Sequence, residues 1–115
     1  MQSKAYQIRS RIWITTEDGT FLGEGRISLL KEIDKHGSIS KAAQAMQMSY
    51  KKAWNLVDSM NKQAPELLVT PKAGGTGGGG SIVSESGHKA IKLFNEISEA
   101  NRRYLDERMN KVKFT

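Results

Sequence analysis

The stretch SYKKAWNLVDS, residues 49–59, holds the polar side chains best suited to recognising a nucleic acid. A lysine ammonium reaches guanine O6 and N7 or a phosphate, and an asparagine amide pairs with adenine in bidentate fashion. Hydroxyl groups and free backbone N–H groups at a helix start suit phosphate oxygens. The stretch therefore predicts a recognition helix whose candidate contacts are Ser49, Tyr50, Lys51, Lys52, Asn55 and Ser59.

The same stretch carries an apolar face that would hold such a helix on a core. Ala53, Val57 and Met60 recur at helical spacing, Ser49 is a good helix cap, and Pro65 marks the end of the helix. The polar candidates lie on the opposite face. This pattern predicts an amphipathic helix with its polar side free.

Ordinary structural roles compete with recognition for several of these residues. Ser49 is first of all a cap, and Lys51 and Lys52 would be plain solvated lysines on an unrelated helix. We expect Trp54, which lies beside the apolar face, to pack in the core rather than stack on a base. We expect Asp58 to point sideways, because a carboxylate repels phosphate.

A shorter helix precedes the recognition helix. Ser38 or Ser40 caps KAAQAM, residues 41–46, and Gln47-Met48 turns the chain. Two capped helices joined by a short turn fit the helix-turn-helix motif, in which the second helix enters the major groove. The context favours DNA contact by the lysines, and it adds the candidates Ser38, Ser40 and Lys41.

A glycine-rich segment, GGTGGGGS at residues 74–81, allows three interpretations. It formally satisfies the dinucleotide pattern G-x-G-x-x-G, but a β-branched, strand-like segment follows instead of a helix, and the lysine of a phosphate-binding P-loop is missing. The third interpretation is a wing tip between strands at 67–69 and 82–84, where glycine lets the backbone approach DNA. Its candidate contacts are Lys72, Gly75, Thr76, Gly77 and Gly78.

Three further elements flank this region. Alternating apolar residues from Ile8 to Ile14, followed by Asp18-Gly19, predict an N-terminal β-hairpin. An apolar stripe from residue 27 to residue 33 predicts a helix that ends at Gly37. Ser84 or Ser86 then caps a helix running towards Val112, too long for a domain of this size, so we expect it to pair with a second copy. The expected dimerisation residues are Ile91, Phe94, Ile97, Tyr104 and Leu105.

Composition narrows the class of protein. The 115 residues suffice for one modest core, and a net charge of +6 favours a polyanionic partner. With no cysteine, no signal peptide and no apolar span, we expect a cytoplasmic protein without membrane contact, metal or cofactor. His36 and His88 lie at helix ends without an evident partner, so we expect no enzyme.

These motifs resemble the DNA-binding domain of the molybdate-responsive ModE family, a branch related to LysR-type winged helices. The matching segments, in order and with matching spacing, are GRISLLKEI at 25–33, GSISKAA at 37–43, MSYKKAW at 48–54, MN at 60–61, LLVTPKAGGTGGGGS at 67–81 and SESG at 84–87. The resemblance implies a recognition helix starting at Ser49, a glycine-bearing wing, and a homodimer on a two-fold DNA operator.

The resemblance also has a departure. Members of the family continue into molybdate-binding domains, whereas this chain ends at Thr115. Molybdate sensing is therefore not carried over. Three alternatives follow: a stand-alone form, a regulator that acts with a separate sensor protein as partner, or a piece of a longer chain.

The expected fold is mainly α with small β, a winged helix-turn-helix with an N-terminal β-hairpin and a long C-terminal helix. We expect one domain over 1–115, with the hairpin at 1–24, a three-helix core at 25–64, a glycine-rich wing at 66–84 and a dimerisation helix at 85–115. The expected function is transcriptional regulation through double-stranded DNA. The alternatives are a winged-helix protein-interaction adaptor and an oxyanion-linked partner protein without sequence-specific DNA reading.

Overall fold

The computed structural model describes residues 4–72 and 80–114 and has a mainly α fold with little β structure, as predicted. Within these residues, four helices and two antiparallel pairs of strands follow one another. In order they are β1 (Trp13–Thr16), β2 (Gly19–Gly23), α1 (Glu24–His36), α2 (Ile39–Ala45), α3 (Tyr50–Gln63), β3 (Val69–Pro71), β4 (Ser81–Val83) and α4 (Glu85–Lys111).

The N-terminal hairpin forms where it was predicted but is shorter. Its strands pair from Trp13↔Gly23 to Thr16↔Gly19, with an irregularity after Ile14, and Gly19 has a φ of 111°. The alternation that begins at Ile8 predicted an earlier start, yet residues 4–12 form no strand. Strand β2 ends at Gly23, which is the partner of Trp13. No residue of β2 is left to pair with the residues before Trp13, so the alternating pattern alone does not extend the strand.

Helix ends in the core follow the capping residues in the sequence. Gly37, at a φ of 69°, ends α1 and donates its N–H to the Ile33 carbonyl at 2.7 Å. Ser38 and Ser49 accept the N–H groups of Lys41 and Lys52 at 3.1 and 3.0 Å, and so begin α2 and α3. The three helices enclose the main core, whose fully buried large side chains are Leu22, Leu29, Leu30, Ile33 and Met60.

The second sheet is displaced from the predicted strands. Val69 pairs with Val83 and Pro71 with Ser81, whereas strands at 67–69 and 82–84 were expected. The start of β3 follows from a contact with α3, because the Asn61 amide oxygen accepts the N–H groups of Leu68 and Val69 at 2.8 and 3.2 Å. The Leu68 N–H is therefore used by α3, and strand pairing begins at Val69.

Replacing Asn61 by alanine is expected to lower the free energy of unfolding by about 2 kcal/mol, because two half-buried N–H groups lose their acceptor. Urea denaturation followed by circular dichroism measures the change. Asn110→Ala, at an exposed position near the end of α4, is the matched control and should leave the midpoint unchanged. Equal midpoints for the two variants would contradict the anchoring role of Asn61.

Helix α4 is attached to the core only through its first turns. Ser84 caps it by accepting the Gly87 N–H at 3.0 Å, and its buried residues are Gly87 and Phe94. The remainder extends away, so the described chain measures 68 × 28 × 22 Å. Its radius of gyration of 18.1 Å exceeds the roughly 13 Å of a compact domain of this length.

An N-terminal arm, defined here as residues 4–12, runs beside the outer part of α4. The Asn101 amide donates to the Ser10 hydroxyl at 3.0 Å, and the rings of Tyr6 and Phe114 lie 5.0 Å apart. No helix in the described parts of the chain has the length and apolar character to cross a membrane. The arm and the outer part of α4 therefore form an elongated extension from the core.

Candidate nucleic-acid interface

The first two turns of α3 present most of the predicted recognition residues to solvent. Ser49, Lys51, Lys52 and Asn55 are exposed and line one open depression of about 430 Å³, together with the half-buried Leu56. The Ser49 hydroxyl caps the helix, so its acceptor capacity is partly used inside the chain. The structure thus brings four of the six predicted residues together on one surface.

Arg26 is a member of this depression that the sequence did not reveal. It comes from the first turn of α1, and its Nη1 donates to the Ser59 hydroxyl at 2.9 Å and lies 3.5 Å from the Phe21 carbonyl oxygen. Partial burial desolvates the guanidinium and lowers the pKa of Arg26 from its usual value. Because 33 residues separate Arg26 from Ser59, no local pattern could place it beside α3.

Ser59 does not join the depression, although the helical spacing predicted that it would. Its hydroxyl lies in an internal network, where it accepts from Arg26 and from the Gln63 amide at 3.2 Å. The Gln63 amide also donates to the Thr20 carbonyl at 2.8 Å and so ties α3 to the hairpin. Ser59 therefore orients Arg26 rather than facing outward with Lys51 and Asn55.

The expectation that Trp54 packs in the core is wrong. Its side chain is 47% exposed, and Tyr50, one turn earlier on the same helix, is 50% exposed. The buried contacts of α3 come from Ala53, Val57 and Met60 alone, as their spacing predicted. Trp54 lies at the margin of that face, where helix geometry allows either outcome.

The remaining candidates lie near the interface in different ways. In the first turn of α2, Ser38 is a half-buried cap, whereas Ser40 and Lys41 are exposed. Lys72 is exposed at the end of β3, and its N–H bonds the Gly80 carbonyl at 2.9 Å. The predicted wing contacts Gly75, Thr76, Gly77 and Gly78 lie outside the described residues.

Comparison of the amino-acid sequence with known proteins places the chain in a family. The molybdenum transport protein ModE of Azotobacter vinelandii is 38% identical over 111 residues, which cover 94% of the chain and 41% of that protein. The DNA-binding transcriptional dual regulator ModE of Escherichia coli K12 is 37% identical over 86 residues, which cover 75% of the chain and 33% of that protein. The chain is a ModE-like domain.

A further relative is named for a different role. The molybdenum-pterin-binding protein MopB of Rhodobacter capsulatus is 39% identical over 79 residues, 69% of the ModE-like chain and 29% of that protein. The ModE-like chain thus spans between 29% and 41% of the length of these three relatives. No protein-family model matches it.

The charge around α3 in the ModE-like domain is positive. Within residues 4–72 and 80–114, no salt bridge includes Arg26, Lys41, Lys51, Lys52 or Lys72. The nearby acidic group is neutralised, because the Asp58 carboxylate lies 2.9 Å from the Lys62 ammonium. The surface therefore offers free cations to a polyanion.

Both histidines of the ModE-like domain have partners, contrary to the sequence-based expectation. His36 Nε2 lies 3.1 Å from a Glu32 carboxylate oxygen in the same helix. His88 Nε2 lies 2.9 Å from Asp34 Oδ1 and so links α4 to α1. Two separate pairs do not make a metal site, and in the described ranges no three such side chains gather.

Two predicted dimerisation residues have other partners. Phe94 is only 3% exposed and belongs to the domain's own core, and Ile91 packs partly against that core. Ile97 and Tyr104 are exposed, and Leu105 is half-buried. Helix α4 leaves the core after Phe94. Ile91 and Phe94 therefore pack within the domain, whereas Ile97 and Tyr104, past this point, are exposed.

Proposed function

We propose that the chain is a DNA-binding transcriptional regulator that acts in the cytoplasm as a homodimer on a two-fold operator. The observation that carries this proposal is the set of unpaired cations around the start of α3, with Asn55 exposed among them. The Escherichia coli relative is a DNA-binding transcriptional regulator, which supports the same proposal.

The interface divides the work of recognition by chemistry. Lysine ammonium groups and exposed hydroxyls neutralise and bond phosphates, which sets position without reading sequence. Asn55, on the outer side of α3, has the two-pronged amide that reads adenine in the major groove. In this winged helix-turn-helix the β3–β4 pair forms the base of the wing that steadies the flanking DNA, and regulation follows from occupancy of the operator.

A second copy provides the two-fold symmetry. Helix α4 exposes Leu93 beside the core and Ile97 and Tyr104 past it, and Tyr6 and Phe114 add exposed aromatic surface at its far end. A single helix this far from a core does not bury enough apolar surface to be stable alone. Pairing of two α4 helices covers these residues and sets the two α3 helices about 34 Å apart, one turn of DNA.

Replacing Tyr104 by glutamate is expected to shift the dimer towards monomer at least tenfold, because a charge enters a face that a second copy must cover. Tyr104 is 62% exposed, so the isolated fold should survive. Sedimentation velocity over a concentration series measures the change, with circular dichroism as the folding check. Arg103→Glu, the exposed neighbour on another side of α4, is the control, and an equal shift for both variants would contradict the assignment.

The proposed function is tested by selecting bound duplexes from a randomised pool at two salt concentrations and sequencing them. An enriched sequence with two-fold symmetry supports a dimeric regulator and supplies its operator. Weak binding that salt abolishes, with nothing enriched, would contradict the proposal and favour the adaptor interpretation.

A further inference from the structure

The unexplained feature of α3 is its pair of exposed aromatic side chains. Tyr50 and Trp54 lie one helical turn apart, are 50% and 47% exposed, and make no part of the hydrophobic core. A single exposed apolar residue is ordinary, whereas adjacent large ones on one surface mark a contact site. Neither residue belongs to the core, so about half of each side chain is available to an external partner.

The surroundings of the pair define what covers it. Lys51 and Lys52 follow Tyr50 directly, are exposed and join no salt bridge within the described ranges, and the nearby Asp58 is held by Lys62. A partner must therefore combine negative charge with apolar groups. The major groove of DNA does so, because phosphates border it and each thymine projects a C5 methyl group into it.

The position on the helix agrees with such a partner. Tyr50 and Trp54 belong to the first two turns of α3, and the early turns of a recognition helix approach the base edges. Lys51 lies between them in sequence and Asn55 directly follows Trp54. The aromatic pair thus borders the residues that carry the proposed hydrogen-bond readout.

We propose that Tyr50 and Trp54 read thymine by apolar contact with its methyl group in the major groove. This inference rests on the proposed function and adds a base specificity to it. Lysine and asparagine read hydrogen-bonding groups, whereas the methyl group distinguishes thymine from cytosine by an apolar surface. Each methyl group covered by the ring strengthens binding by about fourfold, the usual gain for burying one carbon.

The test removes only the methyl groups from the DNA. The duplex enriched from the randomised pool is synthesised once with thymine and once with uracil at every thymine position, and anisotropy titrations compare the two. The parent chain should bind the thymine duplex at least about fourfold more tightly. Trp54→Ala should weaken binding to the thymine duplex and lower the ratio of the two affinities, and replacing Tyr50 and Trp54 together by alanine should bring that ratio close to one.

The chain offers a matched control in its other tryptophan. Trp13 is 60% exposed and belongs to β1 of the N-terminal hairpin rather than to α3, so Trp13→Ala should keep the parent ratio. In the Trp13→Phe variant Trp54 is the sole tryptophan, and its fluorescence should change when the thymine duplex binds. Circular dichroism confirms that each variant is folded.

The outcomes separate this inference from the function on which it rests. If no sequence is enriched, both proposals fail. If a sequence is enriched but the thymine and uracil duplexes bind equally, the inference fails and the proposed function as a regulator remains supported. The inference also fails if Trp54→Ala keeps the parent ratio of affinities. If that variant in addition loses the dimer, the aromatic pair contacts the second protomer instead of DNA.

Discussion

Replacing Gly87 by alanine is expected to lower the free energy of unfolding by about 3 kcal/mol, the upper end of the usual cost of overpacking. A Cβ atom at this position would lie 2.3 Å from the Leu68 carbonyl oxygen and 2.6 Å from Val83 Cγ1. The oxygen belongs to the backbone and cannot rotate away. It also accepts the Ser84 N–H at 2.9 Å, so moving it breaks the start of α4.

Gly25→Ala is the matched control for that variant. Gly25 lies in the first turn of α1, is exposed, and has no atom within 4 Å of an added Cβ. Alanine there should raise the free energy of unfolding by about 0.5–1 kcal/mol, because glycine loses more backbone entropy in a helix. Urea denaturation of both variants measures the difference, and equal midpoints would contradict the close packing at Gly87.

The close approach at Gly87 connects the proposed wing to the extension of α4. Leu68, the residue before β3, and Val83, the last residue of β4, both pack on the first turn of α4. The Ser81 N–H also donates to the Gly37 carbonyl at 2.9 Å, which fixes β4 to the end of α1. The sheet is therefore held between two helices, although each of its strands has only three residues.

The sequence predicted those elements whose limits depend on local chemistry. Ser38, Ser49 and Gly37 define helix ends through bonds within four residues of themselves. The buried face of α3 followed from the spacing of Ala53, Val57 and Met60. A helix carries its own hydrogen bonds, so the local sequence is enough to place it.

Features that depend on distant residues could not be predicted from local sequence. The second sheet begins after Leu68, whose N–H bonds the Asn61 side chain, and this contact depends on how α3 lies against the segment. Arg26 reaches the α3 surface only because the fold brings α1 and α3 together. The exposure of Trp54 depends on how far neighbouring elements extend over one edge of α3. Tertiary packing decides each of these outcomes.

The second large predicted effect is on the salt dependence of DNA binding. Replacing Lys51 and Lys52 together by alanine is expected to reduce the slope of log affinity against log salt by about 1.8, because each lost phosphate contact contributes about 0.9 for duplex DNA. From about 50 to about 200 mM salt, the variant should then lose roughly tenfold less affinity than the parent chain. Anisotropy titrations with the enriched duplex and with a scrambled duplex measure both slopes.

Asn55→Ala should behave differently, and the contrast tests which residues read sequence. An amide that pairs with adenine gives about 1–3 kcal/mol of discrimination at one base pair and leaves the salt slope unchanged, since it neutralises no phosphate. Lys92→Ala, an exposed lysine on α4, should change neither property. Equal effects of the lysine pair and of Asn55 on slope and discrimination would show that the recognition face of α3 is assigned wrongly. A parent-like slope in the lysine variant would instead move the phosphate contacts to Arg26, Lys41 and Lys72, none of which joins a salt bridge in the described part of the chain.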